Sequence, residues 1–403
     1  MRVSTNQFYN LNTQNITGLQ SNTNKILQEI SSGKRVNTAK DDPVGAIMIE
    51  NLRQQNVQLN QYKSNITLAN NRLTQLESRL GEYENQLLST RDKLLQGNDG
   101  ALGASDRSAL ALDIREEMEA IIALANNQDE GGNYLFAGFQ TDTVPFVKDA
   151  NGDVVYMGDD GRRRATIADG VSVPVSENGQ RLFMASPNAS GDYRADYSNA
   201  IMSGEQFFVE SAKIIDPATH VPGPFEIQFL DDGAGNVDVQ VVDGGGAVLL
   251  PPQPFDASQP LQFNGMEVAM TGEPSIGDRV GLDQQSEVDI FSIMNRAAEM
   301  LEDPAGLGDP VVQAEYAQLI ADITETQIHA SVVRAETGNY LRSLDTFEDQ
   351  HLSMELVTSS AQSTLEDLDY AKAITEFEKQ SLALNTVTQT FGKVNNLTLF
   401  NYI

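Results

Sequence analysis

Apolar residues recur every seven positions along residues 43–97, at Leu52, Leu59, Ile66, Leu73, Leu80, Leu87 and Leu94. A second series, Tyr62, Ala69, Leu76 and Tyr83, interleaves with the first at steps of three and four, the a/d stripe of a helix lying along a partner helix. Asp42 supplies an N-cap and Pro43 suits the first helical position, so the pattern predicts one helix from Pro43 to Gly97. Such a helix extends roughly 80 Å at about 1.5 Å per residue, too long for the core helix of one compact domain. The stretch Gly97 to Gly103 breaks it, and Leu110, Ile114, Met118, Ile121 and Ala125 mark a shorter helix returning antiparallel.

The other end is organised similarly. Val312, Tyr316, Leu319, Ile323, Ala330, Val333, Tyr340 and Leu344 form one stripe, and Tyr370, Phe377, Leu384 and Phe391 follow seven apart. Between the ends, Gly, Pro and Asp rise and the period falls to two. Phe225, Ile227 and Phe229 alternate, a DDGAGN turn follows, and Val237, Val239 and Val241 alternate again; Leu261 and Phe263 lead through Asn264-Gly265 to Met266, Val268 and Met270. Both read as hairpins. The predicted fold is mainly α with an inserted β domain: a long antiparallel helical rod or coiled coil from the two ends, with a β-rich outer domain. The expected division is 1–140 helical, 141–280 β-rich, and 281–403 helical and pairing with the first region. The stripes left over from internal pairing are the natural surface for packing between subunits, which makes Leu52, Leu59, Ile66, Leu73, Leu80, Leu87, Tyr370, Phe377, Leu384 and Phe391 the candidate assembly interface.

Charge sharpens this picture. The 403 residues carry a formal net charge of -30, which opposes nucleic acid and anionic membranes as partners. Residues 1–100 hold 11 basic against 9 acidic groups, leaving 16 basic and 48 acidic for the rest. A near-neutral helical end can pack against copies of itself while the acidic remainder stays solvated. There are no cysteines, so thiolate chemistry and disulfides are excluded. The first 20 residues contain no apolar stretch of signal-peptide length and no run approaches the roughly 20 apolar residues of a membrane span, so neither a cleaved signal nor membrane insertion is expected.

Candidate chemistry is sparse. His220, His329 and His351 each stand alone, and no GxSxG elbow occurs. Asp159-Asp160 and Asp231-Asp232 sit in glycine-bearing turns, where capping backbone groups accounts for them. Asp149, Asn151 and Asp153 alternate as calcium ligands do, but Gly152 is misplaced and no Glu follows at the twelfth position. SGKR at 32–35 lacks the upstream glycine of a phosphate loop, where Gln28 stands. Arg162, Arg163 and Arg164 form a basic run, read as a charged strand face or a contact to an acidic neighbour. No catalytic, cofactor-binding or metal residue is assigned, no cofactor is expected, and the chain is not expected to be an enzyme.

The most specific string is SSGKRVNTAKDDPVGAIMIENLR at 31–53, a polar loop between two heptad helices whose signature residues are Gly33, Arg35, Asn37, Asp41, Asp42 and Pro43. This loop resembles that of the flagellin superfamily of bacterial flagella. MRVSTNQFYNLNTQNI at 1–16, GNYLFAGFQTDTVPF at 132–146, YMGDDGRRRATIADGVSVPV at 156–175 and PFDASQPLQFNGMEVAMTGEPSIGD at 254–278 are similar to its hook-associated junction members, and residues 367–403 to the flagellin C-terminal helix. The resemblance implies a structural adaptor between the other hook-associated junction protein and flagellin, forming a ring of its own copies. It further implies export in the unfolded state through the flagellar type III channel with a dedicated chaperone, and an extracellular place on the flagellum. A filament flagellin, or a secreted scaffold with an enzymatic insert, are the alternative readings. Gly338 departs from the family pattern and suggests a local kink or an altered contact, and residues 188–250 resemble nothing named and are expected to be removable without disturbing the rod.

Overall fold

The structure is a computed structural model, and it describes residues 2–100, 102–129, 131–204, 207–303 and 306–396. The resemblance at Met1 and over 397–403 lies outside the described residues. Among these, the helices are α1 (Arg2–Ser32), α2 (Pro43–Gly97), α3 (Ala104–Ala125), α4 (Ile290–Glu302), α5 (Pro310–Glu366) and α6 (Tyr370–Asn396). The strands begin with β1 (Phe146–Lys148), β2 (Val154–Tyr156), β3 (Arg164–Ala168), β4 (Val171–Pro174) and β5 (Ser186–Pro187). They continue with β6 (Tyr193–Ile201), β7 (Phe207–Ile214), β8 (Phe225–Asp231), β9 (Val237–Asp243) and β10 (Val248–Pro254). The last are β11 (Leu261–Phe263), β12 (Met266–Gly272), β13 (Arg279–Gln284) and β14 (Glu287–Val288). The chain divides into two compact units: Met1–Asn65 with Thr346–Ile403, and Ile66–Asp345. The long helices α2 and α5 contribute to both.

The larger unit has two cores. In the first, Ile66, Leu73, Leu80, Leu87 and Leu94 of α2 are 0–1% exposed, beside Tyr83 and the inward face of α3. Glu117 of α3 accepts from Ser89 and Thr90 of α2, and Gln75 of α2 reaches the Gln128 carbonyl beyond the end of α3, so the two helices run antiparallel as expected. Phe183, on a single π-helical turn at Gln180–Met184, gathers Tyr83 (4.8 Å between ring centroids), Phe136 and Phe146 (5.2 Å each) and Phe291 (6.3 Å). The string GNYLFAGF is therefore a packing motif here, since its Leu135, Phe136 and Ala137 are buried.

In the second core a five-stranded antiparallel sheet, ordered β10-β9-β8-β13-β6, shares buried residues with a three-stranded sheet, β11-β12-β7. The two predicted hairpins are present. β8 pairs with β9 and β11 with β12, the latter through Asn264 and Gly265, both at positive φ as a tight two-residue turn requires. Asn188 ties the ends of this subdomain together: its amide nitrogen donates to the Gln285 carbonyl at 2.9 Å and its backbone N–H to Ser286. Asp322 of α5, fully buried, accepts from Arg194 at 3.0 Å and from the Ala189 N–H at 3.1 Å.

Two expectations change. The inner stripe cannot serve as a surface for neighbours along Ile66, Leu73, Leu80 and Leu87, because those side chains are already enclosed within their own subunit. Nor does Gly338 break its helix: α5 runs unbroken from Pro310 to Glu366, with open space around Gly338.

Candidate functional site

The smaller unit contains the signature loop, and the loop is clasped to the junction between α5 and α6. Gly33 ends α1 at φ +72°, its N–H bonded to the Glu29 carbonyl at 2.9 Å, the left-handed conformation that lets the chain turn away. A Cβ here would also stand 2.9 Å from the Tyr370 hydroxyl. The backbone then joins the far end of the sequence. Leu368 N–H donates to the Gly33 carbonyl at 3.0 Å, Arg35 N–H to the Glu366 carbonyl at 2.7 Å, and the Arg35 guanidinium to the Leu365 carbonyl at 2.8 Å. Asn37 turns back to the Lys34 carbonyl at 3.2 Å.

Two carboxylates shape the loop itself. Asp41 accepts from both the N–H (3.0 Å) and hydroxyl (2.9 Å) of Thr38 and pairs with Lys25 at 3.1 Å. The Thr38 hydroxyl, the Lys25 ammonium and the Thr38 N–H hold the Asp41 carboxyl at about 2. Asp42 caps α2 as predicted, accepting from the Gly45 N–H at 2.9 Å, and Pro43 is the first residue of that helix.

The group that organises the clasp is one that sequence reasoning missed. Glu366 is buried and accepts from Lys34, from Arg53 (2.6 Å) and from Gln362 (2.7 Å). Burial pushes its carboxyl up, but the hydrogen bonds from Gln362 and Lys34 and the charge of Arg53 outweigh that and hold it below the usual range. An acidic residue at a helix end carries no local signal when the cations it binds lie more than 300 positions away.

Within this unit the seam between α2 and α5 is polar. Asn56 faces Gln362 and Thr358, Lys63 meets Glu355 at 2.7 Å, and Tyr62 stacks on His351 with ring centroids 5.5 Å apart. The outward faces are apolar. Val44, Ile47, Met48 and Val57 of α2, Leu352, Leu356 and Val357 of α5, and Ile374 and Leu382 of α6 are exposed, with Leu356 73% exposed and Val57 70%. Among the described residues of this unit only Val36, Ile49, Leu59 and Ala373 are buried apolar side chains, against fourteen exposed large ones. Tyr370 is half exposed, and Leu52, Phe377, Leu384 and Phe391 are partly covered, Phe391 meeting Tyr9 edge-on at 5.5 Å. The arrangement is inverted relative to a globular core, with hydrogen-bonding groups inside and aliphatic groups outside.

Other candidate chemistry resolves into local structure. Asp149 accepts from the N–H groups of Asn151 and Asp153 and closes the β1–β2 turn. Arg162 pairs with Glu177 at 2.8 Å and Arg164 reaches Ser172 across the β3–β4 hairpin. His220 bonds the Tyr193 hydroxyl and the Asn264 carbonyl, and His329 the Arg181 carbonyl.

Comparisons with known proteins agree with this architecture. Residues 3–141 match the bacterial flagellin N-terminal helical region. Across 405 aligned residues the chain is 24% identical to flagellar hook-associated protein 3 of Salmonella typhimurium, covering 99% of each. The crystal structure of flagellar hook associated protein-3 from Legionella pneumophila matches with a TM-score of 0.69 at 24% identity, over 79% of this chain and 98% of that one. That of the flagellar junction protein FlgL from Legionella pneumophila gives 0.65 at 25%, over 79% and 100%. Both share the long terminal helices and the central antiparallel β-rich region. The chain is thus similar to flagellins over residues 3–141 and, along its full length, to flagellar hook-associated protein 3.

Proposed function

We propose that this chain is a structural adaptor at the hook–filament junction of the bacterial flagellum, assembling through the outer faces of its terminal helices and performing no catalysis. One observation supports it above the others: the smaller unit exposes many more large apolar side chains than it buries. An isolated surface of that kind costs free energy in water and is relieved when neighbouring subunits cover it. The neighbours in this reading are further copies in a ring, the other hook-associated junction protein on one side and flagellin on the other. The functional division is 1–140 and 281–403 as the assembling ends and 141–280 as the outer β-rich part. Export proceeds unfolded through the flagellar export channel with a chaperone, and the absence of cysteine means no disulfide obstructs threading. The Gly33–Pro43 loop clasped by Glu366 sets the angle at which α1 and α6 leave α2 and α5. The interface assignment covers the partly exposed Leu52, Tyr370, Phe377, Leu384 and Phe391, and buried Leu59 beneath them, together with the outer residues Val57 and Leu356.

The test is genetic. A strain of the source bacterium lacking this chain keeps its hooks, loses its filaments and releases flagellin into the medium, and the gene supplied in trans restores filaments. Normal filaments without the chain would refute the reading.

A further inference from the structure

In Gln318 of α5 both the carboxamide nitrogen and its oxygen are buried without a hydrogen-bond partner, a state shared by no other amide side chain among the described residues. Gln318 lines a cleft of about 440 Å³ between α5 and β7, together with Tyr197 and Ser190. These side chains are 7%, 8% and 3% exposed, and neither hydroxyl has a hydrogen-bond partner among the described residues. Buried polar groups left unpaired oppose folding, so a cleft that gathers them is short of a partner. The rest of its wall is largely small and apolar, with Ala189, Ala314, Ala317 and Ala321, and its one charged residue is Glu210, exposed at the rim. The course of the backbone explains the gap. β7 ends its three-stranded sheet, and residues 190–192 run parallel along the second half of its free edge. There the Ala212 N–H donates to the Ser190 carbonyl at 2.6 Å, the Asp192 N–H to the Ala212 carbonyl at 3.0 Å, and the Ile214 N–H to the Asp192 carboxylate at 2.8 Å. Ahead of Ser190 the chain leaves this line, because the Ala189 N–H turns to Asp322 of α5 and the Asn188 N–H to the Ser286 carbonyl. Phe208, Val209 and Glu210 of β7 border the cleft that this departure leaves, with β12 as their strand partner on the other side.

We propose that this cleft binds an extended, uncharged peptide segment of a partner protein, which continues the line of residues 190–192 along β7 and pairs a peptide unit with the Gln318 carboxamide. A carboxamide offers a donor and an acceptor side by side, the complement of one N–H and one C=O of a main chain, and an open strand edge is a surface along which such a chain is added. The Tyr197 and Ser190 hydroxyls are available to a second peptide unit. No cation lines the cleft, so it is not built for a carboxylate or a phosphate, and Glu210 at the rim disfavours an acidic side chain. Its volume and its mixture of apolar wall and few polar groups are those of ligand-binding clefts. The site lies wholly within the larger unit, so it stands apart from the apolar faces of the smaller one and does not depend on the junction reading.

The experiment titrates N-acetyl-alanyl-valyl-alanine methylamide into full-length chain labelled with ¹⁵N in glutamine side chains and ¹³C in alanine methyl groups. The Gln318 amide signal, identified by its loss in Q318M, and the methyl signals of Ala317 and Ala321 are expected to shift saturably, with a dissociation constant on the order of 1 mM. In Q318M the same methyl signals are expected to report binding about tenfold weaker, as loss of one pair of hydrogen bonds implies. The same peptide with aspartate in place of valine is expected to bind more weakly still. Q318M is also expected to melt no lower than wild type, because it keeps the side chain's length and removes an amide that has no partner. Absence of a saturable shift, an equal response to N-methylacetamide at the same concentration, or tight binding of the aspartate peptide would overturn the proposal. So would a lower melting temperature for Q318M, which would show that ordered water already satisfies the amide in the free chain.

Discussion

Glu366 draws Lys34 and Arg53 to one point, and removing it tests how much the clasp contributes. Both cations are nearly half exposed and return to water when the carboxylate is lost, so E366A costs about 1–3 kcal/mol rather than the larger penalty of stranding a buried charge. The loss belongs in amide protection at Arg35 and Leu368, whose N–H groups bridge the two ends of the sequence. G33A costs about 1–2 kcal/mol through its left-handed backbone alone, with Tyr370 displaced besides. Acid acts on the same clasp. The folded state depresses the carboxyls of Asp41 and Glu366 below their ordinary 3.8 and 4.5, so their stabilisation is complete above those values and is lost as pH falls through the depressed ones. Asp322, raised by burial, has the opposite sign and becomes easier to accommodate as it protonates. Protection factors at Arg35 and Leu368 are expected to fall between pH 4.5 and 2; constant values would show that the clasp does not depend on these carboxylates.

Elements differ in how plainly they were written in the chain. A heptad over α2 states both the helix and its buried face, because the 3.6-residue period leaves few other ways to enclose Ile66 through Leu94. Hairpins β8–β9 and β11–β12 are equally local, each carried by alternation around a glycine-bearing turn. The pairing of β13 with both β6 and β8 is not local, and nothing in residues 193–201 announces a partner at 279–284. The Glu366 clasp was hidden for the same reason. This non-local pairing corrects one expectation that the sequence alone invites, namely that residues 188–250 form a removable insert. Their excision would strip β6 through β9 from a shared core, leave β13 without either of its ladder partners and leave β12 with only the short β11. The separable piece is 189–285, whose ends Asn188 already joins. Replacing it with a short Gly-Ser bridge, combined with D322N to avoid a stranded buried charge, is expected to leave a soluble helical protein, whereas the 188–250 deletion precipitates. Equal solubility of the two would contradict the described strand order. In the first core, L80A removes a fully enclosed side chain and is expected to cost about 2–5 kcal/mol in denaturant unfolding.

For the molecule as a whole, the two units stand in contrast: one encloses its apolar residues and the other displays them. The terminal helices therefore have little packing of their own to offset chain entropy, and about the first 40 and last 40 residues are expected to be cut early by protease in the monomer. Full protection of Phe8 and Phe391 in the monomer would contradict this. The central claim is that the displayed faces of the smaller unit hold the subunit in the flagellum. It is tested most directly by measuring how much V57D/L356D protein remains on hooks, relative to protein secreted into the medium, in the deletion strain. Both side chains are at least 70% exposed, so the substitutions leave the monomer's melting temperature unchanged while placing charge where a neighbour must pack. The account predicts secretion at the wild-type level with retention on hooks lost; retention equal to wild type, with filaments restored, would contradict it.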